Sequence, residues 1–334
     1  MKKLYAVLTL LLFASTTFAA DVSTMLKQAD AAPAPVMKTA QPSDAVIAES
    51  LYQQADSKNV RMSALMAAAA ILTRTPIQQI NKAYAGADTQ NGFSSVVMAV
   101  AAAVSGQDLK ELNRTYLAAG TNNSLASAML TLASAGTGKK IGELNAVFSD
   151  STPQGPLSSA LLAGAWASTG CQEKDLNAMY SRAEARDANS SALLALVGAM
   201  TGTDIQTLNY YYLSAAPRRS LSSAVLAAAC ALTGKDISEL NALYQKAKPR
   251  SSLSSSIMAL GAALSGKDMA ELNAVYDAVS PKDHVSSAVL AASVALKDSK
   301  DVKRNAILAV GAVMLTHLEQ EKEKEEREKN RKDD

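Results

Sequence analysis

The chain has 334 residues, of which 48% are hydrophobic and only 4% aromatic, and 64 are alanine. This excludes collagen-like and disordered chains and disfavours an all-β fold, which needs β-branched and aromatic residues; alanine and leucine favour helix. The formal charge of +2 falls to zero without Lys2 and Lys3. No basic stripe points to nucleic acid.

The chain opens with Met1-Lys2-Lys3, an apolar run from Leu4 to Phe13, and Thr17-Phe18-Ala19. This resembles a secretory signal peptide, residues 1–19, cleaved after Ala19 or alternatively Ala20. The run is too short to span a bilayer, as is Ile307 to Leu318, so no membrane span is expected after cleavage. The expected location is the periplasm, with secretion as the alternative. Residues 20–43, containing Ala31-Ala32-Pro33-Ala34-Pro35, read as a flexible linker.

From residue 44 to 318 the sequence repeats itself. Asn81, Asn113, Asn145, Asn177, Asn209, Asn241, Asn273 and Asn305 are each 32 residues apart, without insertion or deletion. Serine keeps the same register at 63, 95, 127, 159, 191, 223, 255 and 287, and so does an aromatic column: Tyr52, Tyr84, Tyr116, Phe148, Tyr180, Tyr212, Tyr244 and Tyr276. Fixed periods of this length mark stacked supersecondary units.

Each unit reads as two helices. The first begins after an N-cap residue, as at Asn59, Asn91, Asn123, Gly155, Asp187, Ser251 and Asp283, with Arg219 the poor fit. It ends at a glycine suited to a left-handed cap: Gly106, Gly138, Gly170, Gly202, Gly234 and Gly266. Arg74 and Asp298 break that column in the terminal units, where atypical capping repeats are expected. The second helix opens with a capping-box-like pair, Asp108 with Glu111, Asp236 with Glu239 and Asp268 with Glu271. It carries one apolar stripe and stops near Pro153, Pro217, Pro249 or Pro281. Residues 44–55 match a second helix alone, so the array starts on a half-unit. At the other end Asn305 stays in register, and the helix is expected to run on into a charged tail, residues 319–334, with eight acidic and six basic side chains.

The expected fold is therefore all-α: an α-solenoid, a right-handed superhelix of about seven to eight 32-residue helical hairpins with an N-terminal half-unit. The hairpins resemble tetratricopeptide-type and related helical repeats in architecture. The period is shorter than the tetratricopeptide's, and its tryptophan and Leu-Gly signature is absent from first helices such as Ser191-Ala192-Leu193-Leu194-Ala195-Leu196. That resemblance implies an extended face that holds a partner.

The first helices are apolar nearly all round, as in Ala64 to Leu72, and must be buried. Either a tight superhelix closes over them, or a partner or second copy does. The serine column and the alanines four residues on form a small-residue stripe, with the hydroxyl expected to bond a carbonyl one turn back. The asparagines are expected to bond backbone in the hairpin turn or next unit and so fix register. The alternative is a binding strip for a peptide or glycan, formed by Asn113, Tyr116, Asn177, Tyr180, Asn209, Tyr212, Asn241, Tyr244, Asn273 and Tyr276, each pair sharing a helix face.

The only histidines, His284 and His317, do not recur with the serines, so no nucleophile and base are paired. Cysteine and histidine spacing suggests no zinc site, and no cofactor is expected. Cys171 and Cys230, two units apart, are expected to be free thiols. Together these features predict an exported, noncatalytic repeat scaffold for protein or peptide partners. The alternatives are a self-assembling structural component of the envelope, or an extended glycan or peptide bound along the tyrosine row.

Overall fold

The computed structural model describes residues 42–298 apart from 154, together with residues 317–318. The expected signal peptide, nearly all of the linker, the helix carrying Asn305 and the charged tail lie outside the described residues.

The described chain is all helix and turn, sixteen helices with no strand among the described residues. The half-unit is α1 (Pro42–Gln54). Seven full hairpins follow: α2 (Val60–Thr73) with α3 (Ile77–Gly86), α4 (Gly92–Ser105) with α5 (Leu109–Leu117), α6 (Ser124–Thr137) with α7 (Ile141–Asp150), α8 (Pro156–Thr169) with α9 (Glu173–Arg182), α10 (Ala188–Thr201) with α11 (Ile205–Ser214), α12 (Ser220–Thr233) with α13 (Ile237–Lys246), and α14 (Ser252–Ser265) with α15 (Met269–Ala278). The last first-type helix is α16 (His284–Ala295). Each even helix packs on the next even helix, and each odd helix covers the groove between two of them.

Caps set the boundaries. Asn59, Asn91, Asn123, Asp187, Ser251 and Asp283 accept backbone N–H bonds at the even-helix starts, while Gly155 is followed by Pro156 at the first helical position. Asp108, Asp204, Asp236 and Asp268 cap odd helices. The reciprocal glutamate bond of a capping box is made instead at Glu143, which accepts from Lys140 N–H at 3.0 Å. The glycine column takes positive φ throughout, and Arg74 adopts the same left-handed turn at φ 56°. A side chain there costs on the order of 1 kcal/mol, and Arg74 Nη2 donates to the Lys297 carbonyl at 3.2 Å.

That bond spans most of the sequence, because the array closes on itself. Helix α16 lies beside α2 as any even helix lies beside its neighbour, and α1 covers the groove between them while touching α15. The half-unit thus completes the eighth hairpin, and the solenoid becomes a ring. An apolar cluster crosses this seam: Ala48, Ala64, Ala67 and Ile71 from one end of the chain, Val275, Val279, Leu290, Ala291 and Val294 from the other. Charged groups border it. Asp44 accepts from Lys267 Nζ at 2.9 Å and also pairs with Lys297, and Arg61 Nη2 pairs with Asp283 at 3.1 Å.

The single chain itself covers the apolar first helices. Met66, Ala67, Ala68 and Ala69 on α2, and Met98, Ala99 and Val100 on α4, are 0% exposed within the single chain. The alanine face is closed by the chain itself. The C-terminal segment contributes at one described point, where Leu318 packs on the core and the His317 ring meets Phe93 edge-on at 5.0 Å. Alanine and glycine permit close approach: a Cβ on Gly261 of α14 would sit 2.8 Å from Ala292 Cβ of α16.

The seam is pH-sensitive in a definite direction. Burial pushes the Asp44, Glu49 and Asp283 carboxyls up. Bonds from Lys297 and Lys267 to Asp44, from Ser280 to Glu49, and from Ser286 and Arg61 to Asp283 outweigh it and hold all three below the usual carboxylate range. Depressed carboxylates contribute stability that is complete above their unfolded pKa near 4 and is lost as pH falls through the folded values. We expect a closed ring with a radius of gyration of about 20 Å at neutral pH, expanding at constant helicity as the pH falls below about 4. Small-angle scattering with circular dichroism over that range checks it.

Candidate functional site

The asparagine, tyrosine and serine columns all lie at one rim of the ring, where odd helices end and even helices begin. The asparagines form a clamp between units. Asn113 Nδ2 donates to the Gly86 carbonyl at 3.0 Å, and its Oδ1 accepts from Asp88 N–H at 3.1 Å. Asn81, Asn145, Asn177, Asn209, Asn241 and Asn273 repeat the pattern on the preceding odd helix's exit. One side chain thus satisfies a helix-end carbonyl and a loop N–H that would otherwise lack partners.

At the seam the column holds Glu49, which accepts from Ser280 N–H at 2.8 Å and from the Ser280 hydroxyl. It occupies the place in the register that the 32-residue spacing gives to Asn305. A carboxylate reproduces the accepting half of the clamp and has no N–H for the donating half.

The tyrosines serve a different junction. Tyr116 and Tyr212 are buried, and their hydroxyls meet Ser124 at 2.8 Å and Ser220 at 2.9 Å, the first residues of the next even helix. Those serines pass the contact on to Ser94 at 2.7 Å and Ser190 at 3.0 Å in the neighbouring even helix. Tyr244 donates to Ser252 at 3.5 Å, and Tyr276 meets His284 Nδ1 at 2.6 Å. Tyr180 is half-buried beside Asp187, and burial raises its hydroxyl pKa. Asn and Tyr three apart on one helix therefore reach opposite ways, Asn back to the previous unit and Tyr forward to the next even helix. The ten residues of the strip are brought to one rim, with the amides spent on backbone.

In the serine column Ser95 donates to the Asn91 carbonyl one turn back at 3.3 Å, as expected, and others reach further. Ser223, Ser255 and Ser287 donate to carbonyls six residues back, at Pro217, Pro249 and Pro281, over 2.7 to 2.8 Å. The bond therefore ties helix to connecting loop instead of bending the helix. Among the described residues no group of three or more His, Cys, Asp or Glu side chains is placed to hold a metal ion, and no helix is long and apolar enough to cross a membrane.

What the columns do not explain is where the repeat departs from itself. On α11, Tyr210 is 57% and Leu213 63% exposed. In the register of Tyr210 other units place Lys82, Arg114, Ala146, Ala178, Ala242 and Ala274. Directly after α11 comes the loop with Arg218 and Arg219; the next odd helix, whose Asn241 bonds Ser214 and Ala216, leads to Lys246, Lys248 and Arg250. All five basic residues are exposed, with Lys248 paired to Asp277. In ring order the loop position of Arg218 reads Arg186, Arg218, Arg250, Lys282 and, across the seam, Lys58, five consecutive exposed cations. The signal for this patch was in the sequence, as cations that share one register position and as Tyr210, which breaks its own column.

Both cysteines are free, as expected. Burial pushes the Cys230 thiol up to about 12, and burial followed by Asp175 raises Cys171, which is half-exposed. Comparison with known proteins finds no matching family model, no similar curated protein and no similar solved structure.

The buried groups have two measurable consequences. Asn209→Ala leaves the Glu184 N–H and Arg182 carbonyl without their partner and should cost about 1–3 kcal/mol, read as a lowered urea midpoint with unchanged slope; Asn209→Asp should recover only part. At pH 8, iodoacetamide should modify Cys171 alone in the folded protein and both thiols in denaturant, since a thiol of pKa about 12 is thiolate in roughly one molecule in ten thousand. Mass spectrometry after trypsin digestion separates the two sites.

Proposed function

We propose that the protein is an exported, noncatalytic ring scaffold that holds a protein partner through an acidic segment laid on the α11 edge of its basic rim. The observation that carries this is the exposed pair Tyr210 and Leu213 beside Arg218, Arg219, Lys246, Lys248 and Arg250. Repeated residues in a stacked array answer to stacking, which every unit needs alike. Tyr210, whose ring meets Tyr211 at 5.8 Å, and Leu213 are largely solvent-facing, as is Leu117 in the register of Leu213 on α5. Exposed aromatic and arginine side chains are the types enriched at protein interfaces, and clustered cations attract an oppositely charged partner and speed its encounter. The N-terminal segment's resemblance to a signal peptide supports export, with the periplasm as the proposed compartment.

The opposite rim carries both signs, the cap carboxylates Asp108, Asp204, Asp236 and Asp268 alongside Lys139, Lys140, Lys235 and Lys267.

The test is site-specific photo-crosslinking in cells that export the protein. A photoreactive residue at position 213 should give one discrete adduct. The same residue at 149, an exposed position in the same register on α7, should give none. Arg218→Glu with Arg250→Glu should reduce the adduct about tenfold, and 0.5 M salt should do likewise. Equal adducts from both positions, or none from 213, would remove this reading.

A further inference from the structure

The ring is closed by a junction unlike its other seven. In those seven, a large apolar side chain fills the same buried position of the odd helix: Ile80, Leu112, Leu144, Leu176, Leu208, Leu240 and Leu272, each at most 1% exposed. At the seam that position is Ala48. The neighbouring asparagine is Glu49, which makes only the accepting half of the clamp. A small cleft borders the seam, lined by residues of both ends that include Asp44, Lys267, Val275, Ala291 and Val294. Charge takes over part of the task, through Asp44 with Lys267 and Lys297 and Arg61 with Asp283.

The two faces of this junction belong to opposite ends of one chain and are complementary. One end presents Ala48, Ala64, Ala67 and Ile71 with Asp44, Glu49 and Arg61; the other presents Val275, Val279, Leu290, Ala291 and Val294 with Lys267, Lys297 and Asp283. Such an interface is heterologous, head to tail, and nothing in its chemistry requires both faces to come from the same molecule. The other junctions are tied by short connections, so the seam is where a ring can part without unfolding a hairpin. Once parted, both apolar faces need covering again.

We propose that the seam is a docking surface for a second copy of this chain, joined head to tail through the contacts that otherwise close the ring. The α1 and α2 end of one copy seats on the α15 and α16 end of the other, and the reverse junction closes the pair. In a two-copy ring the bend is shared over twice as many junctions. The proposal goes beyond partner binding at the α11 edge and stands independently of it.

Charge exchange tests it. Asp44→Lys makes one variant; Lys267→Glu with Lys297→Glu makes the other. Within either variant alone, the seam sets like charges together. Between the two, one junction joins the substituted ends with the charges reversed, a lysine of one copy facing two glutamates of the other, and the second junction keeps the natural pairing of Asp44 with Lys267 and Lys297. Light scattering should give the mass of one chain for each variant alone and twice that mass for the co-expressed 1:1 mixture, with helicity by circular dichroism equal to the parent's. A mixture at single-chain mass overturns the proposal. So does an equal tendency of either variant to pair with itself. Loss of helicity in both variants overturns it as well, because it would show that hairpins do not persist without a closed seam.

Discussion

Everything in this structure depends on the packing of α1 against α15 and α16. A stack of helical hairpins has two raw ends, each exposing an apolar face that a neighbouring unit would cover. Here the faces cover each other. Among the described residues α1 is a second-type helix with no first-type helix before it, and it covers the groove between α16 and α2 as other odd helices cover theirs. The even helices can then be apolar on every side, since none of them is terminal. An array of the same sequence with free ends would leave Ile71, Leu290 and Val294 open to water.

Closure also assigns roles to the three columns. A ring tolerates little drift in register, because an error at each junction accumulates around the circle. The asparagine clamp fixes the spacing of consecutive odd helices by two hydrogen bonds to backbone, which depend on chain position and not on side-chain type. The Tyr–Ser–Ser contacts fix the even helices to each other at the same rim. The serine-to-proline carbonyl bonds fix the connecting loops between them. Small residues elsewhere let backbones meet, and alanine's abundance follows from that geometry. Polar groups set the angles, and apolar burial supplies the drive.

The hairpins, their boundaries, the glycine turns, the free thiols and the asparagine ladder were legible because each rests on local spacing that repeats along the chain. The closure was not. No column records the curvature per unit, which comes from small differences in helix packing, and the 32-residue register was equally consistent with a superhelix left open to a partner or second copy. Hints existed in residues that break columns. Glu49 stands where an asparagine belongs, Ala48 where a leucine belongs, and Arg74 where a glycine belongs, and each now sits at the seam. The same lesson applies to the surface. The asparagine column was found by its regularity, and its amides bond backbone between units; Tyr210 breaks its column and faces solvent.

Sequence also explains why α1 suits the closing position. In register, Arg304 falls at the position held by Leu272 and its equivalents, which are 0% or 1% exposed. Placing a guanidinium there would strip its hydration without a partner, at a cost of several kcal/mol. Ala48 fits the same position at the loss of only a few methylene contacts. This choice has a consequence for folding. Contacts within the array link residues some 25 to 32 apart, whereas those at the seam link residues separated by 222 to 253. Local hairpins can form and stack early, and the long-range junction closes last. The entropy of joining the ends is then small, because the stacked units already hold α1 and α16 on a common curve.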